Sequence, residues 1–383
     1  MSNRLTKRES GFSLLEMTVS LALGAIVLGG AVQIYIQGVS ATWATTQRAE
    51  LQGDFRAASN ILTKDLSLAG AGFTGGTAIA LPSAVTPVYG CDESGACYIN
   101  GGSVAYPRQS TTAYLYGLLP GYNVGPIPTG SSAHTDAVTV VYTDNNFYLD
   151  CYTAAITNTT TVTFTLPGTT SSNCTAPTGN TGAQAVSDSS QGLVAGDLVL
   201  FTFGSNNIVA EVTTAATTAG VVAFAPSGVL KMNQASAVAN SLASKYVAPA
   251  GTTIGYATRI LVITYYLDTT TAATPRLMQQ VSGHTPVPVA ENVANLKLTY
   301  DLFNDSTNSP AVSCSNPGAS SDGCAGASTG LLPNQITKIN IQNMAMDGTI
   351  KGTQFGQGKG YQRLILQTSV AARNLTYINN YPE

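Results

Sequence analysis

A single carboxylate inside a long apolar run is the feature of this sequence with the clearest chemistry. Glu16 is the only charged residue from Phe12 to Ile36, a run of 25 residues. A run of this length can cross a bilayer as a helix. A carboxylate within a membrane segment costs about 2.5–3.5 kcal/mol at the helix centre and usually has a function. The alternative is that Glu16 lies near the membrane face and reaches water without a role.

Six cysteines form the second set of residues with defined chemistry. An even number of cysteines in an exported chain indicates disulfide bonds. Proximity in sequence favours the links 91–97, 151–174 and 314–324, each of which would close a loop rich in Gly, Ser and Thr. Each such link contributes about 2–3 kcal/mol of stability by constraining the unfolded chain. The six positions are Cys91, Cys97, Cys151, Cys174, Cys314 and Cys324.

No pattern in the sequence indicates a metal site, a cofactor or catalysis. The chain lacks C-x-x-C, and His134 and His284 stand next to no cysteine, which argues against zinc. The motifs G-x-S-x-G and H-E-x-x-H are also absent. Two glycine-rich segments, 70–75 and 356–360, lack the context or the spacing of phosphate-binding loops. We interpret the first as a helix end and the second as a hairpin turn. We therefore expect that the protein binds no metal or cofactor and is not an enzyme.

The composition is typical of an exported, β-rich protein. Only 10% of the 383 residues are charged, and the formal net charge is −3. A surface that binds nucleic acid needs clustered Lys and Arg, and no basic stripe occurs here. We therefore expect no nucleic-acid partner, and the length suits one large domain or two smaller ones.

The apolar run continues into a second helical pattern, so that one helix is predicted from residue 12 to residue 69. No Pro interrupts this range. Residues 12–36 would span the membrane, and the later residues would pack on a globular head through one apolar stripe. The stripe, at three- and four-residue spacing, consists of Leu51, Phe55, Ala58, Leu62 and Leu66.

The remainder of the chain, residues 70–383, predicts a β-rich head. Helical patterns of ten residues do not alternate with the strands, so antiparallel sheets are favoured over a parallel one. A stretch rich in Thr, Ser and Gly, 153–192, predicts an expanded loop. With its flanks it suggests an inserted subdomain at about 130–250, outside a core sheet formed by the last third of the chain. The predicted strands are Ala137–Tyr142, Thr161–Leu166, Asp197–Phe203, Asn207–Thr213, Val221–Ala225, Arg259–Leu267, Asn295–Phe303, Gln335–Asn343 and Tyr361–Ala371.

The start of the chain resembles the class III signal of type IV prepilins. A basic leader with Arg4, Lys7 and Arg8 precedes Gly11, and a basic flank stays on the cytoplasmic side of the membrane. Cleavage between Gly11 and Phe12 would come before the apolar run and leave it on the mature protein. An ordinary secretory signal has its cleavage site after the apolar region.

The prepilin resemblance assigns roles to three residues. It implies that prepilin peptidase cleaves after Gly11 and methylates the new amine of Phe12. It also implies that Glu16 pairs with the Phe12 amine of a neighbouring subunit, which neutralises two charges in an apolar filament core. The fold class that follows is α+β and type IV pilin-like: a long N-terminal helix packed on an antiparallel β-rich head with extended, disulfide-stapled loops.

The C-terminal third resembles the head of the PilW family of type IV minor pilins. We interpret the segment Glu291-Asn292-Val293 as a short helical turn that feeds a strand, with Leu296 and Leu298 in the core beside Val293. The segments that carry the resemblance are Ile263-Thr264-Tyr265-Tyr266, Arg276-Leu277, the run from Val289 to Tyr300, Tyr361-Gln362-Arg363, Ala372-Arg373-Asn374 and, at the helix end, residues 65–70.

The PilW resemblance implies a minor pilin that primes filament assembly near the pilus tip. Its implied partners are prepilin peptidase, other minor and major pilins, and the inner-membrane assembly platform. It would cross the inner membrane once with its head in the periplasm, and then join a pilus at the cell surface. The alternatives are a J-type minor pseudopilin of type II secretion, a tip adhesin, and an enzyme on a membrane stalk.

Overall fold

The computed structural model describes most of the chain. The described residues are 11–73, 78–83, 85–92, 94–99, 106, 114–128, 132–165, 186–188, 190–204, 206–217, 219–248, 251–270, 274–304, 307–310, 313–318, 331–351 and 361–375.

One long helix, α1, extends from Leu14 to Ser67 and confirms the predicted helix to within two residues at each end. At the end of α1 the chain turns at Gly70, whose φ of +76° is accessible to glycine at little cost. The amide of Gly70 then donates a hydrogen bond to the carbonyl of Val141, 2.8 Å away, which ties the end of the helix to the head.

The described head is built from antiparallel strands. Their bounds are β1 Ala78–Ala80, β2 Tyr114–Tyr116, β3 Leu118–Gly121, β4 Ala137–Thr143, β5 Thr153–Asn158, β6 Thr161–Thr165, β7 Leu198–Phe203, β8 Asn206–Glu211, β9 Val221–Ala223, β10 Thr252–Ile254, β11 Tyr256–Asp268, β12 Arg276–Val281, β13 Val287–Glu291, β14 Val293–Asn304, β15 Ser309–Pro310, β16 Ile336–Lys351 and β17 Tyr361–Ala371.

The 13-residue strand β11 organises the largest sheet. It pairs with β7 near its start, with β12 near its end, and with β4 in between. Ile260 pairs with both β4 and β7, so these two neighbours lie on opposite edges of β11. Strands β13, β3 and β8 complete a seven-stranded sheet.

A four-stranded sheet of order β15-β14-β16-β17 forms the other wall of the main core. The second half of α1 packs against β13, β16 and β17. The predicted stripe supplies this contact: Leu51, Ala58, Leu62 and Leu66 are buried, and Phe55 packs against the same core. The structure therefore confirms the α+β architecture of a long helix on an antiparallel head.

The range of about 130–250, for which the sequence suggests an inserted subdomain, contributes strands to two different sheets. Strands β4, β7 and β8 fall within this range, yet they belong to the seven-stranded sheet. A separate sheet of order β10-β5-β6-β9, with its own apolar core, accounts for the rest. β4 and β7 pair with β11, more than 50 residues further along the chain. Strand patterns in the sequence do not reveal such partners.

Two segments expected to form turns have different outcomes. The predicted helical turn at Glu291-Asn292-Val293 is wrong, because β13 ends at Glu291 and β14 begins at Val293. Asn292 has a φ of +58°, a left-handed conformation that asparagine tolerates and that turns the chain within one residue. Val293, Leu296 and Leu298 are buried, as expected. The predicted hairpin turn at 356–360 lies outside the described residues, between the antiparallel strands β16 and β17.

Candidate functional site

The first residues of α1 form the candidate assembly site. Ser13 has an extended backbone and caps the helix, because its hydroxyl accepts a hydrogen bond from the amide of Leu15, 3.3 Å away. Glu16 lies in the first helical turn, near the partial positive charge of the helix N-terminus. Among the described residues, none contributes a cation to the Glu16 carboxylate. Within the described chain, the Glu16 carboxylate is therefore without an ion-pair partner.

Gly11 and Phe12 precede the helix and are exposed. A side chain built onto Gly11 would meet no atom within 4 Å. Within the described chain, the fold therefore places no demand for glycine at position 11. Phe12 is 85% exposed and lies four residues before Glu16, so that the predicted cleavage site and the carboxylate lie at the same end of α1.

The first half of α1 presents apolar side chains on which no described residue packs. Residues 11–39 are all exposed, and α1 is long and apolar enough to cross a membrane. Exposure of so large an apolar surface is unusual for a protein in water and marks a surface that lipid or protein covers. Leu15, Ile26 and Tyr35 are among these exposed side chains.

The second half of α1 carries a buried carboxylate that the sequence reasoning missed. Asp65 is 5% exposed. It accepts hydrogen bonds from the Tyr265 hydroxyl at 2.6 Å, the Gln279 side-chain amide at 3.0 Å and the Tyr142 hydroxyl at 3.3 Å. Burial raises the pKa of Tyr265, with Asp65 adding to the shift, so the phenol remains a donor. The spacing in the sequence could have indicated that Asp65 is buried, because it follows Leu62 by three residues and therefore lies on the same face of the helix.

The cysteines lie in the head, far along the chain from Glu16. Cys91 and Cys97 form a disulfide. Within that loop, Asp92 accepts hydrogen bonds from Ser94 and Tyr98, which lower the pKa of its carboxyl. The Tyr98 ring stacks on Tyr266 at 6.0 Å between centroids.

Two further cysteines, Cys151 and Cys314, are also disulfide-bonded. The other two, Cys174 and Cys324, lie outside the described residues. The pairs 151–174 and 314–324 therefore stay predictions.

Each of the two histidines lies within hydrogen-bond distance of another group in the head. His134 lies 2.8 Å from the carbonyl of Gly125 through Nδ1, and His284 lies 2.9 Å from Asp197 through Nε2. Across the described part of the chain, no three His, Cys, Asp or Glu residues are grouped as metal ligands.

Comparison with known proteins finds a match for one segment of the chain, at its start. A family model described as the prokaryotic N-terminal methylation motif matches residues 6–32, which include Gly11, Phe12 and Glu16. No curated protein and no solved structure matches the chain. The chain thus carries a type IV pilin-like prepilin signal. This signal supports a pilin-like or pseudopilin precursor that prepilin peptidase processes. It also favours a structural protein over an enzyme. The signal and the apolar helix both fit membrane anchoring.

Proposed function

We propose that this protein is a minor pilin of the PilW type that acts in the assembly of a type IV pilus, near its tip. One observation carries the proposal. The exposed apolar half of α1 bears Glu16 beside a prepilin cleavage signal, and the other half of the same helix is fixed to a disulfide-bonded β head.

The proposed mechanism starts with a precursor that crosses the inner membrane once, its head in the periplasm. Prepilin peptidase cleaves the bond between Gly11 and Phe12 and methylates the new amine. The carboxylate of Glu16 then pairs with the Phe12 amine of an adjacent pilin. Because both charges would be costly alone in an apolar core, the pair selects the correct axial position of each subunit. The assembly platform and the other minor and major pilins are the proposed partners.

Processing is tested at Gly11. We expect the mature protein to begin at methylated Phe12, and Gly11→Asp to leave a full-length, unmethylated precursor in the membrane. Gly11 is exposed, and a Cβ atom added there would meet no described atom within 4 Å, so the substitution is not expected to disturb the fold. N-terminal sequencing and mass spectrometry measure the result. A wild-type N-terminus other than Phe12 would contradict the proposal.

Deletion of the gene in its host separates a pilus from a secretion system. We expect surface pili to be lost or fewer, secretion of exported proteins to be intact, and the tagged protein to occur in sheared pili. Loss of secretion with normal pili would instead assign the chain as a J-type minor pseudopilin.

A further inference from the structure

A groove of about 730 Å³ opens where β4 ends and β11 begins. This volume is within the range of about 300–1,000 Å³ that is usual for small-ligand sites. Its walls come from four parts of the chain: the segment after α1, the segment after β4, β7 and the start of β11. The polar and aromatic side chains that line it include Asn145, Phe147, Tyr148, Tyr256 and Thr258.

The base of the groove is apolar and closed. Phe147 is 5% exposed and Leu200 is 4% exposed, so neither offers a pocket for an apolar anchor. The Arg259 guanidinium lies 4.5 Å from the centroid of the Phe147 ring. It also forms an ion pair with Asp144 at 2.6 Å and lies 3.9 Å from Asp197. The base is therefore fixed by tertiary contacts, and the charge of Asp144 is paired.

The rim, in contrast, offers polar groups that the protein leaves unused. Among the described residues, the hydroxyls of Tyr148, Tyr256 and Thr258 have no hydrogen-bond partner. The Asn145 side chain accepts one long hydrogen bond, 3.5 Å from the Thr143 hydroxyl, and its amide donors are unused. Tyr148 and Tyr256 are half-buried, so their rings are held and partly open to solvent.

We propose that this groove binds a neutral saccharide. The rings of Tyr148 and Tyr256 would pack against the C–H face of a sugar, and Asn145 and Thr258 would bind its hydroxyls. Aromatic rings and polar groups with both donors and acceptors suit a ligand with apolar faces and many hydroxyls. An apolar peptide anchor finds no open pocket at the base. Two carboxylates line the groove, Asp150 and Asp144, and the second of these is paired with Arg259.

The position of the groove agrees with a ligand outside the cell. Gly72 lines it, five residues after α1 ends at Ser67. The 54 residues of α1 rise about 81 Å from the apolar end, at about 1.5 Å per residue. The groove therefore lies by the end of α1 opposite to Phe12. The inference goes beyond the proposed function and does not depend on it, because a membrane-anchored head would present the same groove.

The test uses the full chain in a zwitterionic detergent, since a detergent with a sugar headgroup would compete. Saturation-transfer NMR is recorded with neutral di- to tetrasaccharides of glucose, galactose and mannose. Asn145→Ala should weaken binding about 3- to 10-fold, as expected for one lost hydrogen bond. Asn146→Ala is the matched control, because Asn146 is the exposed neighbour and is not among the lining residues. It should bind like the wild type.

Tyr256→Ala should abolish the signal, and Tyr256→Phe, which keeps the ring and the fold, should retain weaker binding. The proposal is overturned if no saccharide in the panel binds the wild type, or if Asn145→Ala and Asn146→Ala bind equally. It is also overturned if an unrelated peptide library gives the only binding at this groove. Pilus assembly by these variants is expected to be normal, which separates this test from that of the proposed function.

Discussion

Two carboxylates on α1 have opposite environments. Glu16 is exposed in an apolar segment, and Asp65 is buried among hydrogen-bond donors of the head. A carboxylate in apolar surroundings is tolerated only with compensating partners. Asp65 has its partners within the same chain, whereas Glu16 has none among the described residues. In the proposed function, the partner of Glu16 is the Phe12 amine of an adjacent pilin.

We predict that Glu16→Leu leaves membrane insertion and cleavage after Gly11 normal but prevents docking into a filament. Leucine removes the cost of burying the carboxylate, yet the amine of the neighbouring Phe12 would be left buried and unpaired, at a cost of several kcal/mol. The measurement is the ratio of protein in sheared pili to protein in membranes.

Glu50→Gln is the matched control, because Glu50 is an exposed acid on the same helix beyond the apolar run. It should leave the ratio unchanged. Equal ratios for Glu16→Leu and wild type, with cleavage intact, would mean that Glu16 merely reaches water at the membrane face.

We predict that Asp65→Ala lowers the free energy of unfolding by about 2–3 kcal/mol, because the Tyr265 hydroxyl and the Gln279 amide lose a charged acceptor in a buried site. Asp65→Asn should cost less, since one acceptor oxygen remains. Denaturant unfolding measures both changes. Asp54→Ala, an exposed acid on the same helix, should shift the curve little, and an equal shift would rule out the buried network as the cause.

At the scale of elements, α1 has two roles on one continuous helix. Its apolar first half has no contacts within the described chain, and its second half is part of the main core. The glycines Gly24, Gly29 and Gly30 lie in the first half, and a side chain at any of them would meet no atom within 4 Å. Each glycine lowers the stability of the helix by about 1 kcal/mol relative to alanine, and no contact within the described chain requires it.

The loops of the head supply the next prediction. Unreduced peptide mapping by mass spectrometry should find the links 91–97, 151–174 and 314–324. Sequence proximity favours these links, and Cys151 and Cys314 are disulfide-bonded in the structure. Links such as 151–324 would show that tertiary contacts override proximity, and free thiols at all six positions would contradict export of the head.

At the scale of the whole molecule, buried acids link stability to pH. Glu211 ends β8 in a fully buried position, and its Oε1 accepts a hydrogen bond from the amide of Leu230 at 2.9 Å. A side chain built onto Gly228 would come within 2.2 Å of Oε2, so the surrounding loop encloses the carboxyl tightly. Burial raises the pKa of Glu211 above its ordinary value of 4.5, although backbone amides oppose the shift.

We predict that the stability of the Glu211→Gln variant, relative to that of the wild type, increases as pH rises. With a raised pKa, the folded state binds a proton that the unfolded state has already released, so wild-type stability falls as pH rises from 4.5 through the folded pKa. The glutamine variant lacks this loss. The melting temperature of variant minus wild type should therefore increase from pH 4 to pH 8.

The control for this pH dependence is Glu291→Gln, at an exposed acid on β13. It should show no such trend. A pH-independent difference for Glu211→Gln, or one that decreases as pH rises, would contradict the role of Glu211.

The sequence by itself determined the features that depend on local pattern. The helix, its apolar half, its buried stripe and nine of the strands follow from the spacing of apolar residues within a few turns or one strand. The candidate assembly site is local too, because Gly11, Phe12 and Glu16 lie within a segment of six residues. Strands β1, β2, β3, β5, β10, β12, β13 and β15 were not predicted, since most are short or lack clear alternation.

Only the tertiary structure decided which polar groups meet. The donors to Asp65 lie 77, 200 and 214 residues away in sequence, and a periodic pattern contains no information about such partners. The same holds for the pairing of β4 and β7 with β11, for the enclosure of Glu211, and for the groove between Asn145 and Tyr256. Each depends on long-range packing, because burial and hydrogen bonding are set by segments that approach one another only after the chain has folded.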